Sequence, residues 1–341
     1  MMRARRPRAV LLSLLCLLAV VSFLQWIATA YRARQWLGRE NSGAQRTPAS
    51  VLQAAREMSV YRKPLPVTNG QRRPSRIVQS NWNTRAHDAT NMEHFTDAVT
   101  LVVKHMSSFR KEHMSKLHAS IRRWFPRVHV IVGDDAYDDD TPPPPWASHP
   151  RTTLISLPND CGLALGRNIL VQMTKTRYVV ILEDDFVFTR TTELQVMFTT
   201  LENNPAVAVV GGGLEDIKTV GTFQSYGKDI NVNSGGDVVF TPSNVPFEGG
   251  CRRVDIVFNF FMARTEKLRA FPWNYKLKVG EHEAFFIQLW LQKQVVLECT
   301  NVKVFHNTTR SIGYVLKSHR YSLHEYAQHV CSQFRYLATL R

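Results

Sequence analysis

An α/β domain built on a mostly parallel sheet is the fold class this sequence predicts, and three observations predict it. From about Phe95 onward, short apolar runs alternate with segments whose apolar residues recur at helical spacing. Two of the apolar runs end in paired acids, "VGDD" and "LEDD", which places both pairs at the carboxyl edge of one sheet, where ligands of open α/β sheets bind. At 341 residues, 44% hydrophobic and 21% charged, the chain has the length and balance to bury a sizeable core.

The elements follow in order. "DAVTLVVK" is a buried-strand run, and "SKLHASIRRWF" places Leu117, Ile121 and Trp124 on one helical face. "RVHVIVGDDA" is the next strand and ends in Asp134 and Asp135, while "DDDTPPPPW" reads as a surface loop. "RTTLISLP" is a short strand and "GLALGRNILVQMTK" a helix beginning near Gly162. "RYVVILEDDFVF" is a strand that runs into Glu183, Asp184 and Asp185; the helix "TTELQVMFTTLENN" and the strand "AVAVVGGG" come after it. The chain shows no internal repeat and no Walker or GxGxxG loop.

The first residues belong to another class. Arg3, Arg5, Arg6 and Arg8 precede an uncharged stretch from Ala9 to Tyr31 that is long enough to cross a bilayer as one helix. Ala28-Thr29-Ala30 fits a signal-peptide cleavage site, but the apolar core exceeds the roughly 7–15 residues of a signal h-region, so an anchor is expected. The arginines set the N-terminus in the cytosol and the rest of the chain in the secretory lumen. The expected organisation is a cytosolic tail (1–8), a transmembrane signal anchor (9–31), a stem (32–94) and a catalytic domain (95–341).

Net charge of +15 does not call for a nucleic-acid partner, because residues 1–95 hold 15 of the 43 Lys/Arg but only 4 of the 28 Asp/Glu. The excess lies in the anchor flank and in a stem rich in Arg, Gln, Ser, Asn and Pro, a tether's composition. Beyond Cys16 in the span, Cys161, Cys251, Cys299 and Cys331 face an oxidising lumen, and one or two disulfides are expected, with Cys251–Cys299 the favoured pair. Asn307-Thr308-Thr309 is the sole sequon.

Carboxylates crowded at one sheet edge repel one another unless a cation sits among them. Oxygen ligands in a lumenal protein point to magnesium, manganese or calcium, and such an ion characteristically bridges a substrate diphosphate. The competing reading is a set of solvated loop acids, which two acid-ended strands in one domain disfavour. The C-terminal half adds Glu281, His282 and Glu283 just before an amphipathic helix, where a carboxylate could take a proton. It also adds His306 at the end of the strand "NVKVFH", placed to complete a metal shell.

The run "VTLVVKHMSSFRKEHMSKLHASIRRWFPRVHVIVGDDA", then "GLALGRNILVQMTKTRYVVILEDDFVFTRTTEL", "VDIVFNFFMARTEKLRAF", "HEAFF" and "VKVFH" resemble, in order, the catalytic domain of the beta-1,4-N-acetylgalactosaminyltransferases of gangliosides and related glycans. The resemblance covers about Asp97 to Asn307. It implies a GT-A fold with a Rossmann-like sheet, a Golgi type II membrane enzyme, UDP-GalNAc as donor, a glycolipid or glycan acceptor, Mn2+ (or Mg2+) and inversion at the anomeric carbon. By position, Glu183, Asp184 and Asp185 look like the DxD-type motif, with Asp185 on the metal and Glu183 toward the ribose or metal-bound water. Asp134 and Asp135 match acids near the uridine, Arg167 and Asn168 match the "GRN" element at the nucleotide edge, and His306 matches a metal-ligating histidine. The catalytic base is Glu281 or Glu283, with Glu283 preferred. Glu183 stands where the family usually has Asp, which keeps UDP-GlcNAc or another UDP-sugar open as donor; a glycan-binding relative without catalysis is the alternative outside enzymes. Acceptor, linkage and oligomeric state stay open, a homodimer among the options.

Overall fold

The computed structural model describes residues 89–137, 142–215, 223–232, 238–277 and 280–307. The expected tail, anchor and most of the stem, together with Cys331 and the sequon's Thr308 and Thr309, lie outside the described residues. Among the described residues, no helix is long and apolar enough to cross a membrane.

Helix α1 (Ala89–Ala98) leads into β1 (Val99–His105), α2 (Ser107–Trp124), β2 (His129–Asp134), β3 (Thr152–Ser156), α3 (Gly162–Met173) and β4 (Tyr178–Glu183). The short β5 (Phe186–Val187), α4 (Leu194–Asn203) and β6 (Val207–Glu215) follow. A two-stranded ribbon, β7 (Lys228–Val232) and β8 (Val238–Pro242), precedes β9 (Cys251–Val254), β10 (Phe261–Arg264), α5 (Thr265–Ala270), α6 (Glu281–Leu291) and β11 (Val295–His306). The main sheet runs β3-β2-β1-β4-β10-β6-β11-β5, with β9 also paired to β11.

β1, β2, β3 and β4 are mutually parallel, as the alternating pattern predicts. The sheet is nonetheless mixed. β10 lies antiparallel between β4 and β6, and β5 and β9 run antiparallel to β11. Strands this short carry no directional signal of their own, so their orientation follows from the connections rather than from local pattern.

Both faces of the sheet are covered, which is why its strands read as continuous apolar runs rather than alternating ones. In β4, Tyr178, Val180 and Leu182 face a core shared with Phe95, Met114, Leu117, Ile121 and Phe198 from α1, α2 and α4. Val179 and Ile181 face the opposite core with Leu170, Phe261, Trp273, Phe285 and Phe286, from α3, β10 and the α5–α6 region. Each such side chain contributes about 1.5–3 kcal/mol of burial. The predicted face of α2 holds for Leu117 and Ile121, both fully buried, but not for Trp124, which is 38% exposed under the Arg123 guanidinium. The helix ends at Trp124, and Phe125 takes the inward position instead.

Cys251 and Cys299 stand opposite each other on β9 and β11 and form the expected disulfide. Cys161 is a buried thiol at the head of α3.

Candidate active site

The carboxyl ends of β1, β2, β4, β6 and β11 share one edge, since Lys104 pairs with Glu183, His105 with Asp134, and Phe305 with Glu215 in register. The acid triplet sits at its centre. Its three members meet different sets of partners, with Arg110 common to Asp184 and Asp185. Glu183 Oε1 accepts from Asn259 Nδ2 at 2.9 Å and lies 3.5 Å from Arg167. Asp184 is buried, accepting from His105 Nδ1 at 2.8 Å and pairing with Arg110 at 2.9 Å. Asp185 Oδ2 meets Arg110 at 2.5 Å and His306 Nε2 at 3.3 Å.

His306 reaches the triplet because β5, directly after the acids, pairs with the end of β11 and sets His306 opposite Phe186. The Asn307 amide closes the turn by donating to the Asp185 carbonyl at 2.8 Å. Among the described residues, Glu183, Asp185 and His306 form a group whose ligand atoms all lie within 4.8 Å of one another, the spacing one ion can bridge. Asp185 Oδ1 is buried and has no hydrogen-bond partner. An orphaned carboxylate oxygen costs about 1–3 kcal/mol or more unless something cationic meets it, so this donor set of two carboxylates and one imidazole fits a divalent ion.

The electrostatics couple the three groups. Burial pushes the Glu183 carboxyl up, aided by neighbouring Asp185 and opposed by Arg167. Burial also works to raise Asp185, but the His306 hydrogen bond and the Arg110 guanidinium outweigh it and hold it below its ordinary value. The same hydrogen bond to Asp185 lifts His306 above its ordinary value against the effect of burial.

The sequence profile of glycosyl transferase family 2 matches residues 72–254, more than half of the chain, and spans the acid triplet. The chain belongs to glycosyl transferase family 2. Beta-1,4 N-acetylgalactosaminyltransferase 1 of Homo sapiens is 32% identical over 217 residues, covering 61% of this chain and 38% of that protein. Beta-1,4 N-acetylgalactosaminyltransferase 2 of Mus musculus is 29% identical over 213 residues, covering 61% and 39%. The chain thus spans about two fifths of the length of the curated relatives it matches. Among solved structures, S. aureus TarS 1-349 superposes with a TM-score of 0.45 at 14% identity over 61% of this chain and 60% of that one. The likeness to beta-1,4-N-acetylgalactosaminyltransferases read from the sequence is met by these relatives.

In this family 2 domain, the remaining sequence-predicted residues divide by burial. Asp134 is buried and accepts from the Ser107 and Ala136 amides, tying the start of α2 to the end of β2. Asp135 is buried, pairs with Lys104 at 2.6 Å and accepts from the Gly162 amide at the start of α3. Gly166 of the "GRN" element makes room for that lysine, since a Cβ there would lie 2.7 Å from Lys104 Cγ. Arg167 is only 1% exposed; its guanidinium lies between Glu183 and Glu281 and over the Trp273 ring. Asn168 spends its amide on the Trp273 backbone, donating to the carbonyl and accepting from the amide. The structure therefore sets Arg167 and Asn168 inward, beneath the edge where sequence placed them.

Glu281 and Glu283 both fall in the first turn of α6, where carboxylates favour the helix dipole. Gly280, at φ 76°, turns the chain into that helix through a conformation open chiefly to glycine. Glu281 is buried and pairs with Arg167 at 3.2 Å, and burial raises its carboxyl above the ordinary value. Glu283 is half-buried. Sequence reasoning missed Arg110, His105, Lys104 and Asn259. Asn259 is a relay: its Nδ2 donates to Glu183, so its Oδ1 accepts from His282 Nδ1 at 2.7 Å, and that ring nitrogen carries the proton. Burial, and after it Arg167, depress His282 to about 3, which keeps the ring neutral. The available signal for Asn259 was its place in the quoted "NFF" segment; Arg110 had none beyond an unassigned positive charge near the end of β1.

Proposed function

We propose that this family 2 member is a divalent-metal-dependent, inverting glycosyltransferase that moves GalNAc from UDP-GalNAc to a hydroxyl of a glycolipid or glycan acceptor. The observation that carries this reading is the convergence of Glu183, Asp185 and His306 at the carboxyl edge of the sheet, with a buried, unpartnered Asp185 oxygen among them. Glu183, Asp185 and His306 would hold a divalent ion, Mn2+ or Mg2+, which when bound would neutralise charge on a diphosphate leaving group, an effect worth several kcal/mol. The donor preference rests on the N-acetylgalactosaminyltransferase relatives.

The chain's own residues supply the rest. Glu183 is braced by Asn259 and Arg167, so its carboxylate is held in position before any ligand arrives. Asp134 and Asp135 fix the ends of β2 and the starts of α2 and α3 on the nucleoside side of the edge. Glu283 is the base: it is half-buried in the first turn of α6, whereas Glu281 is committed to Arg167 inside the protein. The acceptor oxygen attacks the anomeric carbon as its proton passes to Glu283, and the anomeric C–O bond to the phosphate breaks with its electron pair leaving on UDP. General-base assistance of this kind gives about 10²–10⁴-fold. The expected setting is the Golgi lumen, with the anchor at residues 9–31 holding the chain to the membrane in type II orientation.

The test is UDP release by the purified chain with UDP-GalNAc or UDP-GlcNAc, with Mn2+ or EDTA, beside Asp185→Ala and Glu283→Gln. Metal-dependent release from UDP-GalNAc, lost in Asp185→Ala, is the expected result. Release only from UDP-GlcNAc, which the Glu at position 183 keeps open, replaces the donor while leaving the mechanism. Equal release by Asp185→Ala and the unaltered chain overturns the site.

A further inference from the structure

Arg110 occupies a peculiar place in the fold. It belongs to α2, yet its own backbone leaves the helical conformation, with φ −135° and ψ 25° inside an otherwise regular helix. That local break accompanies a forked contact in which one guanidinium nitrogen meets Asp184 at 2.9 Å and the other meets Asp185 at 2.5 Å. The Asp185 oxygen it holds is also the one that His306 approaches at 3.3 Å. The guanidinium is therefore the positive group nearest to the ligand set Glu183, Asp185 and His306. Unlike Arg167, whose side chain is 1% exposed, Arg110 has a side chain 17% exposed and open to the edge.

We propose that Arg110 is a counter-ion arm: it holds the acids when no donor is present, and a divalent ion with a nucleotide diphosphate displaces it from Asp185, after which its fork binds the diphosphate. This rests on the metal reading of the site given above. The ion, on Oδ1, and the guanidinium, on Oδ2, compete for the single charge of Asp185, so ion binding weakens the Arg110–Asp185 contact. A diphosphate then offers the displaced arm what a guanidinium matches best, paired anionic oxygens in bidentate geometry. His105 keeps Asp184 in place while this happens, through its own hydrogen bond at 2.8 Å. Two ligands that each relieve the same obstruction bind cooperatively, and the coupling is reciprocal.

The experiment measures Mn2+ binding by electron paramagnetic resonance to the full chain, with and without UDP, for the unaltered protein and for Arg110→Ala, Arg110→Gln and Arg110→Lys. Thermal unfolding identifies any variant that does not fold. The expected result is that UDP tightens Mn2+ binding to the unaltered protein by about 10-fold or more, within the usual range of coupling between sites. Arg110→Ala and Arg110→Gln bind Mn2+ alone about 10-fold tighter than the unaltered protein, and UDP adds less than about 3-fold. Arg110→Lys keeps the charge without the fork and falls between. If Arg110→Ala is misfolded, Arg110→Gln carries the same comparison. Equal or weaker Mn2+ binding by the neutral variants overturns the proposal and makes Arg110 a fixed strut that orients Asp185. Absence of Mn2+ binding by every form, with UDP present, overturns the metal reading itself and this proposal with it.

Discussion

Replacing Arg167 by Met tests whether the buried charge network beneath the site is understood. Arg167 and Glu281 are 1% and 7% exposed at their side chains and 3.2 Å apart. Met fills most of the arginine's volume and keeps contact with Trp273, so the change removes charge more than packing. It leaves Glu281 as a buried carboxylate without its cation, and breaking a pair this way costs about 3–5 kcal/mol. Burial already raises the Glu281 pKa, and Arg167 is the main influence opposing that rise. In the variant the carboxyl rises further, so the folded state binds a proton that the unfolded state releases. Stability then falls as pH increases from the ordinary carboxylate value up through the raised one, and is regained in acid. Urea unfolding at pH 5 and pH 7.5 reads this directly. At pH 7.5 the midpoint drops by about 1–2.5 M if the slope is near 2–3 kcal/mol/M, and the drop is smaller at pH 5. Adding Glu281→Gln to Arg167→Met restores much of the loss, because the orphaned charge is gone. A loss below about 1 kcal/mol, or a double variant no more stable than the single one, refutes the reasoning.

Asp185→Ala lowers Mn2+-dependent turnover by at least about 100-fold, roughly 2.7 kcal/mol of barrier, while leaving the unfolding midpoint close to that of the unaltered chain; a turnover assay beside a thermal melt separates the two. Reduction of Cys251–Cys299, which closes a separation of 48 residues, costs about 2–4 kcal/mol and appears as a lower calorimetric Tm in reducing buffer. Glu298→Gln also destabilises the chain, by about 3–5 kcal/mol. Its buried carboxylate pairs with Arg252 and accepts from Ser225 and the Tyr226 and Gly227 amides, so hydrogen exchange should quicken first at residues 225–227.

The strands and helices were legible because burial on both sheet faces leaves long apolar runs, and the turn from "VILE" to "DDF" marks where a strand reaches the carboxyl edge of the sheet. The acids at two strand ends were legible as an edge, and His306 as a neighbour of the triplet, because strand direction puts the ends of β2, β4 and β11 together. What sequence could not reveal is which polar side chain faces inward. "GRN" reads as a polar segment, yet Arg167 is buried because a charge can be taken inside when Glu183 and Glu281 meet it there. Arg110 and Asn259 lie 75 and 76 residues from their acid partners, and no local spacing encodes such encounters. The antiparallel setting of β10 is equally a matter of connection, since "FMAR" would serve in either direction.

The clip between β5 and β11 has a bearing on biosynthesis. His306 follows Asp185 by 121 residues, so at about 5–20 residues per second the acids exist for about 6–24 s before the imidazole that joins them has been made. β1 to β4 and α2 precede that moment, and Arg110 with them, so the acids already have a cation to lean on while the sheet waits for its late strand. Closure of the cluster thus reports that β11 has inserted: a chain stalled before it carries the carboxylates but lacks the imidazole that joins them.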